Sequence, residues 1–327
     1  MIVPATPEAI AHAADALRKG DLVSFPTETV YGLGADARNA DALLKLYAAK
    51  GRPADHPVIV HLADGSAATR WAKALPAYAT LLADAFWLGP LTLILTRGEG
   101  VSDSITGGQE SVGLRVPAHP VAHALLSAFM ECGGDGIAAP SANRFGRISA
   151  TTAQHVEDEF GGEVAIVLDG GPCRHGIEST IIDCTGREPR LLRPGAVGVD
   201  QLTRVLGREP SAATAASPRA SGSLASHYAP RTHARLLQRK ELIGALGRLA
   251  RPGSHIAVLA HSIDQPPSFE GTWFDAPSES AGYAQQLYAN LRALDAREAD
   301  EIWIEAPPDG PDWIAINDRL RRATHRG

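Results

Sequence analysis

Ser24-Phe25-Pro26-Thr27-Glu28-Thr29-Val30-Tyr31-Gly32-Leu33-Gly34 is the stretch around which the rest of the chain is organised. It follows the apolar pair Leu22-Val23 and gathers two threonine hydroxyls, a carboxylate, a phenol and two glycines within a few residues. Pro26 has no N–H for a strand ladder, so a strand running in from Leu22 ends or bulges there. Gly32 and Gly34 permit positive φ and a close approach of the backbone to something small. Such a loop at a strand end reads as a binding edge. An ordinary glycine turn would use the same residues.

Upstream, residues 7–19 carry a helical pattern, with Thr6 as N-cap, Pro7 at the first helical position and Gly20 as the stop. Downstream, residues 40–49 repeat it with Leu43, Leu44 and Tyr47 as an apolar stripe. That helix runs out at Lys50-Gly51-Arg52-Pro53. The two cations suit a helix C-terminus. Flanking a glycine, they could also converge on one polyanion such as a triphosphate.

Several predicted strands then end in polar groups. Residues 57–62 form a strand with His61 near one end, and residues 91–95 follow the turn Gly89-Pro90. Helices are predicted around 66–74 and 76–86, and residues 98–110 form a polar, Gly-rich loop. Alternation over residues 111–117 turns Ser111, Gly113 and Arg115 to one face. An arginine there needs a partner, because burying its charge alone is expensive. A ligand carboxylate or an internal Asp or Glu would serve equally. His119 and His123 stand four apart, a metal-ligand spacing, but no HExxH glutamate or third ligand accompanies them. The second rich stretch is residues 137–149, where small residues lead into Ser141, Asn143 and Ser149. A helix over 153–159, a strand over 164–169, Ser179-Thr180 entering another strand, and Arg193 beside Pro194-Gly195 complete the set. Hydroxyl, amide and cationic groups clustered at α/β strand ends are how small-molecule sites are usually built. No Walker loop, complete dinucleotide fingerprint or GxSxG elbow is present.

Residues 207–226 are rich in Ala, Ser, Pro and Gly, and residues 207–230 read as a linker closing on His227-Tyr228-Ala229-Pro230. Residues 1–206 form the first predicted domain. Residues 231–327 form a smaller α/β domain, with strands at 255–260 and 301–305 and helices at 280–294 and 313–323. A chain of 327 residues, 44% hydrophobic, is consistent with two domains. Residues 1–205 hold 17 Lys+Arg against 23 Asp+Glu and so carry the whole net charge of -6. That balance lacks the basic surplus of a protein that grips nucleic acid by phosphate neutralisation. No apolar run approaches the roughly 18–20 residues that cross a bilayer. The start, Met1-Ile2-Val3-Pro4, shows no secretory signal. Cys132, Cys173 and Cys184 make no CxxC pair and read as buried free thiols, which fits a reducing cytoplasm.

Taken together, PTETVYGLG (26–34), KGRP (50–53), VIVHLA (58–63), GPLT (89–92), LRVP (114–117), APSAN (139–143), GIEST (176–180), RPG (193–195) and HYAP (227–230) resemble the two-domain threonylcarbamoyl-AMP synthases. The resemblance implies a YrdC-like twisted mixed sheet with flanking helices, plus a smaller Rossmann-like C-terminal domain. It implies condensation of L-threonine, bicarbonate and ATP into threonylcarbamoyl-AMP and pyrophosphate. A downstream tRNA-modifying transferase complex would consume the product. By motif, Thr29, His61, Arg115, Ala139 and Ser179 would hold threonine. Lys50, Arg52, His56, Ser111, Ser141, Asn143, Ser149, Arg193 and Tyr228 would hold ATP, with Lys50 and Arg52 catalytic and Mg²⁺ carried mainly by the phosphates. Two positions depart from the pattern: His56 stands where many relatives have Asn, and Ser221-Gly222 stands where the linker usually has Pro-Gly. The rival readings are an RNA-binding module and a carbamoyl-transfer enzyme built on a related domain. The charge of residues 1–205 weighs against the first, and missing accessory segments against the second.

Overall fold

A computed structural model describes residues 1–222, 226–248 and 255–325. Contacts divide the chain into two compact units, Met1–Phe145 with Ser149–Ser223, and Gly146–Ile148 with Leu224–Gly327. The first unit begins with β1 (Ile2–Pro4), α1 (Pro7–Arg18), β2 (Val23–Phe25), β3 (Gly32–Asp36), α2 (Ala40–Lys50) and β4 (Ile59–His61). It continues through α3 (Ala77–Phe86), β5 (Leu91–Thr96), α4 (Asp103–Thr106), β6 (Ser111–Arg115), α5 (Pro120–Glu131) and β7 (Ile137–Ala138). It closes with α6 (Ala153–Phe160), β8 (Ile166–Asp169), β9 (Thr180–Asp183), β10 (Arg190–Arg193), α7 (Val199–Leu206) and β11 (Ser211–Ala212).

Local chemistry explains the helix ends. Thr6 Oγ1 accepts from the Ala9 N–H at 3.2 Å, and Pro7 opens α1. Asn39 Oδ1 accepts from the Asp41 and Ala42 amides at 3.0 and 3.1 Å, starting α2. Gly51 ends α2 in the left-handed region at φ 60°, where glycine carries no Cβ penalty. Gly32 and Gly34 differ from expectation: they lie in β3 without positive φ. What Gly34 supplies is room, since a Cβ there would come within 2.9 Å of Ile137 and Phe25.

The strands of this unit form one mixed sheet in the order β1-β8-β2-β3-β7-β4-β6-β5-β9-β10-β11. Val60, Leu114, Leu93 and Ile182 join the larger core with Leu43, Leu46, Trp71 and Leu82. A second cluster joins α1 and α5 to Val23, Phe25, Ile137 and Leu168. Strand alternation turns His61, Arg115 and Thr92 to the face opposite the larger core, with Ile59, Gly113 and Ile94 below them.

Other expectations shift in detail. Residues 65–70 form a 3-10 turn rather than an α-helix. The polar loop 98–110 contains α4, and Arg97 ties it down through Asp103 at 2.5 Å and Glu110 at 2.8 Å. Cys173 and Cys184 are buried, but Cys132 is exposed. Residues 207–222 group with the first unit instead of forming a free tether. Within them β11 pairs in parallel with β10, and Arg219 donates to the Asp55 and Gly107 carbonyls at 3.2 and 2.9 Å. Residues 223–225 of the expected linker lie outside the described residues.

The second unit contains β12 (Ala234–Leu237), α8 (Arg239–Leu246), β13 (Ile256–Ala260), β14 (Thr272–Asp275), α9 (Ser280–Asp295), β15 (Glu301–Glu305) and α10 (Ile314–Ala323). Its four described strands are all parallel, in the order β12-β15-β13-β14. Sequence patterning indicates β13 and β15 but not the edge strands β12 and β14, whose apolar runs are shorter. No helix among the described residues is long and apolar enough to cross a membrane.

Candidate active site

The loop after β2 folds on its own hydroxyls. Thr27 Oγ1 accepts from the amides of Thr29 and Val30 at 3.2 and 3.3 Å and donates to the Val30 carbonyl at 2.7 Å. Its one proton being used there, Thr29 Oγ1 must donate in the 2.8 Å contact between the two hydroxyls. Thr29 Oγ1 in turn accepts from Arg115 Nη1 at 2.9 Å. A directed chain of bonds therefore runs from Arg115 into the loop.

Arg115, 4% exposed, also donates through Nε to the Gly89 carbonyl at 3.2 Å and through Nη2 to Glu28 Oε1 at 2.5 Å. The partner that the strand arginine required is thus an internal glutamate. Three of the five guanidinium N–H groups are engaged in this way. Burial alone would raise the Glu28 pKa. The Arg115 charge and the hydrogen bonds from Arg115, the loop backbone and the Ala118 N–H outweigh it and hold the carboxyl below its ordinary value.

His61 pairs with Arg115 in the β4–β6 register and meets the Phe25 ring edge-on at 6.2 Å. Its Nδ1 is buried with no hydrogen-bond partner among the described residues. Burial, with the Arg115 charge adding to it, lowers its pKa to about 3, so the ring is neutral near pH 7. On the neighbouring strand Thr92 Oγ1 lies 2.8 Å from Ser179 Oγ. Arg193 Nη2 donates to Ser179 Oγ at 3.1 Å and to its carbonyl at 2.9 Å. Gly195 lets the chain pass close to this corner, since a Cβ there would come within 2.4 Å of the Glu178 carbonyl.

The other part of the site is built on the end of α2. Lys50, 2% exposed, donates to the Ser141 carbonyl at 2.6 Å and to the Asn143 carbonyl. Burial, with the Arg52 charge adding to it, pushes its pKa well down, and Glu159 opposes them. Arg52 Nη2 donates to the Pro57 carbonyl at 2.8 Å, and its guanidinium lies 5.8 Å from the Phe145 ring. The His56 ring meets Phe145 edge-on at 5.2 Å. Ser149 Oγ donates to Glu178 Oε1 at 2.6 Å, both groups buried. Backbone bonds stitch the two parts together. Tyr31 donates to the Ala150 carbonyl at 2.9 Å, Ala142 to the Tyr31 carbonyl at 2.8 Å, and Leu33 to the Pro140 carbonyl at 2.8 Å.

Thr29, His61, Arg115 and Ser179 therefore share connected neighbourhoods with Lys50, Ser141, Asn143 and Ser149 in the first unit. Ala139 is buried on the same stitch, its amide donating to the Ile59 carbonyl at 3.0 Å, and Ser111 is buried at the start of β6. Tyr228 belongs to the second unit, where it is buried, stacks on Tyr288 at 5.6 Å and has the Arg319 guanidinium 5.2 Å above its ring. Glu28, Thr92 and Glu178 were not singled out as site residues from sequence. Only Glu28 left a signal, the unmet need of Arg115 for an acid. Among the described residues no group of three or more His, Cys, Asp or Glu is arranged to hold a metal ion.

Comparison with known proteins places this architecture. The Sua5/YciO/YrdC family profile, described as "Telomere recombination", matches residues 15–195. A profile described as "Threonylcarbamoyl-AMP synthase, C-terminal domain" matches residues 197–324. A threonylcarbamoyl-AMP synthase of Pyrococcus abyssi is 37% identical over 95% of this chain and 93% of its own. One of Bacillus subtilis is 38% identical over 96% of this chain and 92% of its own. The crystal structure of P. abyssi Sua5 complexed with L-threonine superposes with a TM-score of 0.91 at 34% identity, covering 99% of this chain and 97% of that one.

Proposed function

The chain belongs to the threonylcarbamoyl-AMP synthase family, and on that footing we propose that its first unit makes threonylcarbamoyl-AMP and pyrophosphate from L-threonine, bicarbonate and ATP. The observation that carries the reading is the buried Arg115, braced by Glu28, Thr29 and the Gly89 carbonyl, with two N–H groups unengaged among the described residues. Those two donors suit an amino-acid carboxylate. Thr29, the neutral His61, the Ala139 backbone and Ser179 surround the same ligand on this reading. The crystallised P. abyssi relative, complexed with L-threonine, supports it.

The chemistry needs little from the protein beyond placement. The threonine ammonium gives up a proton to solvent, and the free nitrogen bonds to the bicarbonate carbon as its second proton and the bicarbonate hydroxyl leave as water. The resulting carbamate oxygen attacks the α-phosphorus of ATP. The α–β phosphoanhydride bond breaks and pyrophosphate leaves. Holding carbamate and nucleotide in line lowers the barrier by proximity. Lys50, Arg52 and Arg193 meet the charge that builds on the leaving group, where exclusion of water strengthens each contact. Ser111, Ser141, Asn143 and Ser149 contribute nucleotide contacts, with His56 beside Phe145 at the edge.

The donors gathered here are cations and hydroxyls, which suit phosphate oxygens better than a bare divalent ion. Mg²⁺ on this reading enters bound to the triphosphate and contributes charge neutralisation there, and no side chain is assigned to it. The product is a mixed anhydride whose acyl group is transferred by a tRNA-modifying partner in the cytoplasm. Release of pyrophosphate from ATP, dependent on both L-threonine and bicarbonate, tests the proposal. Release that ignores threonine would overturn it.

A further inference from the structure

Glu28 braces Arg115, but the reaction as read above gives it no part with the substrate. Its placement is that of a fixed anchor. Oε1 takes Arg115 Nη2 at 2.5 Å, Oε2 accepts from the Ala118 N–H at 3.0 Å, and its backbone carbonyl accepts from the His175 N–H at 2.8 Å. Ala118 lies two residues ahead of α5, whose positive N-terminal end also favours an anion. Swinging the carboxylate aside would break both side-chain bonds, and at 6% exposure little water could replace them. Glu28 therefore stays in place when a ligand enters.

Its charge matters as much as its geometry. Arg115 and Glu28 cancel one another in a pocket that is otherwise neutral at this corner: His61 is uncharged, and burial lowers the pKa of both His119 and His175, which also face Glu28. Arg193 and Glu178, buried in the same unit, are again one of each sign, while the buried cations Lys50 and Arg52 stand at the end of α2 on the nucleotide side. A zwitterion enters such a pocket with its own charges balanced. A plain carboxylate would be stripped of water with no net opposite charge to receive it. Resting on the threonine reading, we propose that Glu28 is a positioning and selectivity residue. It aims Arg115 and cancels its charge, so that the pocket takes α-amino acids bearing both ammonium and carboxylate in preference to the des-amino acid.

The experiment compares full-length wild type, Glu28→Gln and Glu28→Asp by calorimetric binding of L-threonine and of 3-hydroxybutyrate, the same skeleton without its amine. ATP binding serves as the control for an intact nucleotide site. Wild type is expected to prefer threonine by about tenfold or more, and Glu28→Gln to shrink that preference about tenfold, chiefly by gaining affinity for 3-hydroxybutyrate. Glu28→Asp, which restores the charge, is expected to keep the preference even where turnover falls. An unchanged preference in Glu28→Gln overturns the proposal, as does equal affinity of the wild type for both ligands, whatever the variants do. Absence of threonine binding in the wild type would instead remove the threonine reading on which this rests.

Discussion

The Lys50 side-chain nitrogen donates to the carbonyl of Ser141 at 2.6 Å, joining the end of a helix to a loop 91 residues further along the chain. With the Asn143 carbonyl as second acceptor, the lysine organises the backbone of the loop it faces before any ligand arrives. Removing it does two things at once. Lys50→Ala is expected to abolish threonine-dependent pyrophosphate release. It should also lower unfolding free energy by about 1–3 kcal/mol, because two carbonyls lose their donor. Pyrophosphate release and urea denaturation measure the two effects. Wild-type turnover would remove Lys50 from the nucleotide site.

Nucleotide binding should draw a proton into the protein. Burial and then Arg52 depress the Lys50 pKa in the free chain, and an incoming triphosphate favours the charged form again. Calorimetry of ATP binding in buffers of different ionisation enthalpy should therefore show net proton uptake below the ordinary lysine pKa. The uptake should vanish in Lys50→Met if that variant still binds.

Arg115→Lys keeps the charge but loses the planar fork that reaches Gly89, Thr29 and Glu28 at once. The KM for threonine should rise by about tenfold or more, with the affinity for ATP little changed. Arg115→Ala leaves the buried Glu28 without its counter-ion. It should cost about 3–5 kcal/mol of stability and abolish activity. Equal losses of threonine and ATP affinity in Arg115→Lys would argue against a threonine-side role.

Acid stability should report on His61. Its folded-state pKa, about 3, lies below the ordinary 6.5, so the unfolded chain binds the proton more readily. The resulting stability is fully present above about pH 6.5 and is lost as pH falls towards 3. Glu28, its pKa lowered by Arg115 and its hydrogen bonds against the pull of burial, adds to the loss only below the ordinary carboxylate range. His61→Asn should flatten the unfolding free energy between pH 6.5 and 4.5, measured by denaturant titration. An unchanged slope there would place the acid sensitivity elsewhere.

Chelation of divalent ions should stop pyrophosphate release and leave the melting temperature of the ligand-free protein unchanged, if Mg²⁺ arrives with the nucleotide. A drop in melting temperature on adding EDTA would point to a protein-held ion.

Much of this was written locally. Pro26 ended β2 where a missing N–H must end it, Thr6 and Asn39 capped their helices, and Gly51 closed α2. Alternation along β6 correctly put Ser111, Gly113 and Arg115 on one face, because strand side chains have a period of two. Linear order did not reveal that Lys50 lies buried against the carbonyls of Ser141 and Asn143, since the register of a helix end against a distant loop depends on packing. Nor did composition reveal that residues 207–222 are held by β10, Asp55 and Gly107; their Ala-Ser-Pro content reads as a tether.

The sequence by itself determined which chemistry is present: hydroxyls, cations and acids at the ends of strands, in an order particular to one family. Only the tertiary structure decided how those charges are balanced. Whether Arg115 waited for a ligand or already held Glu28 depended on bringing together residues 87 positions apart. A buried charge must find its partner in three dimensions, and local pattern carries no record of which acid the fold delivers.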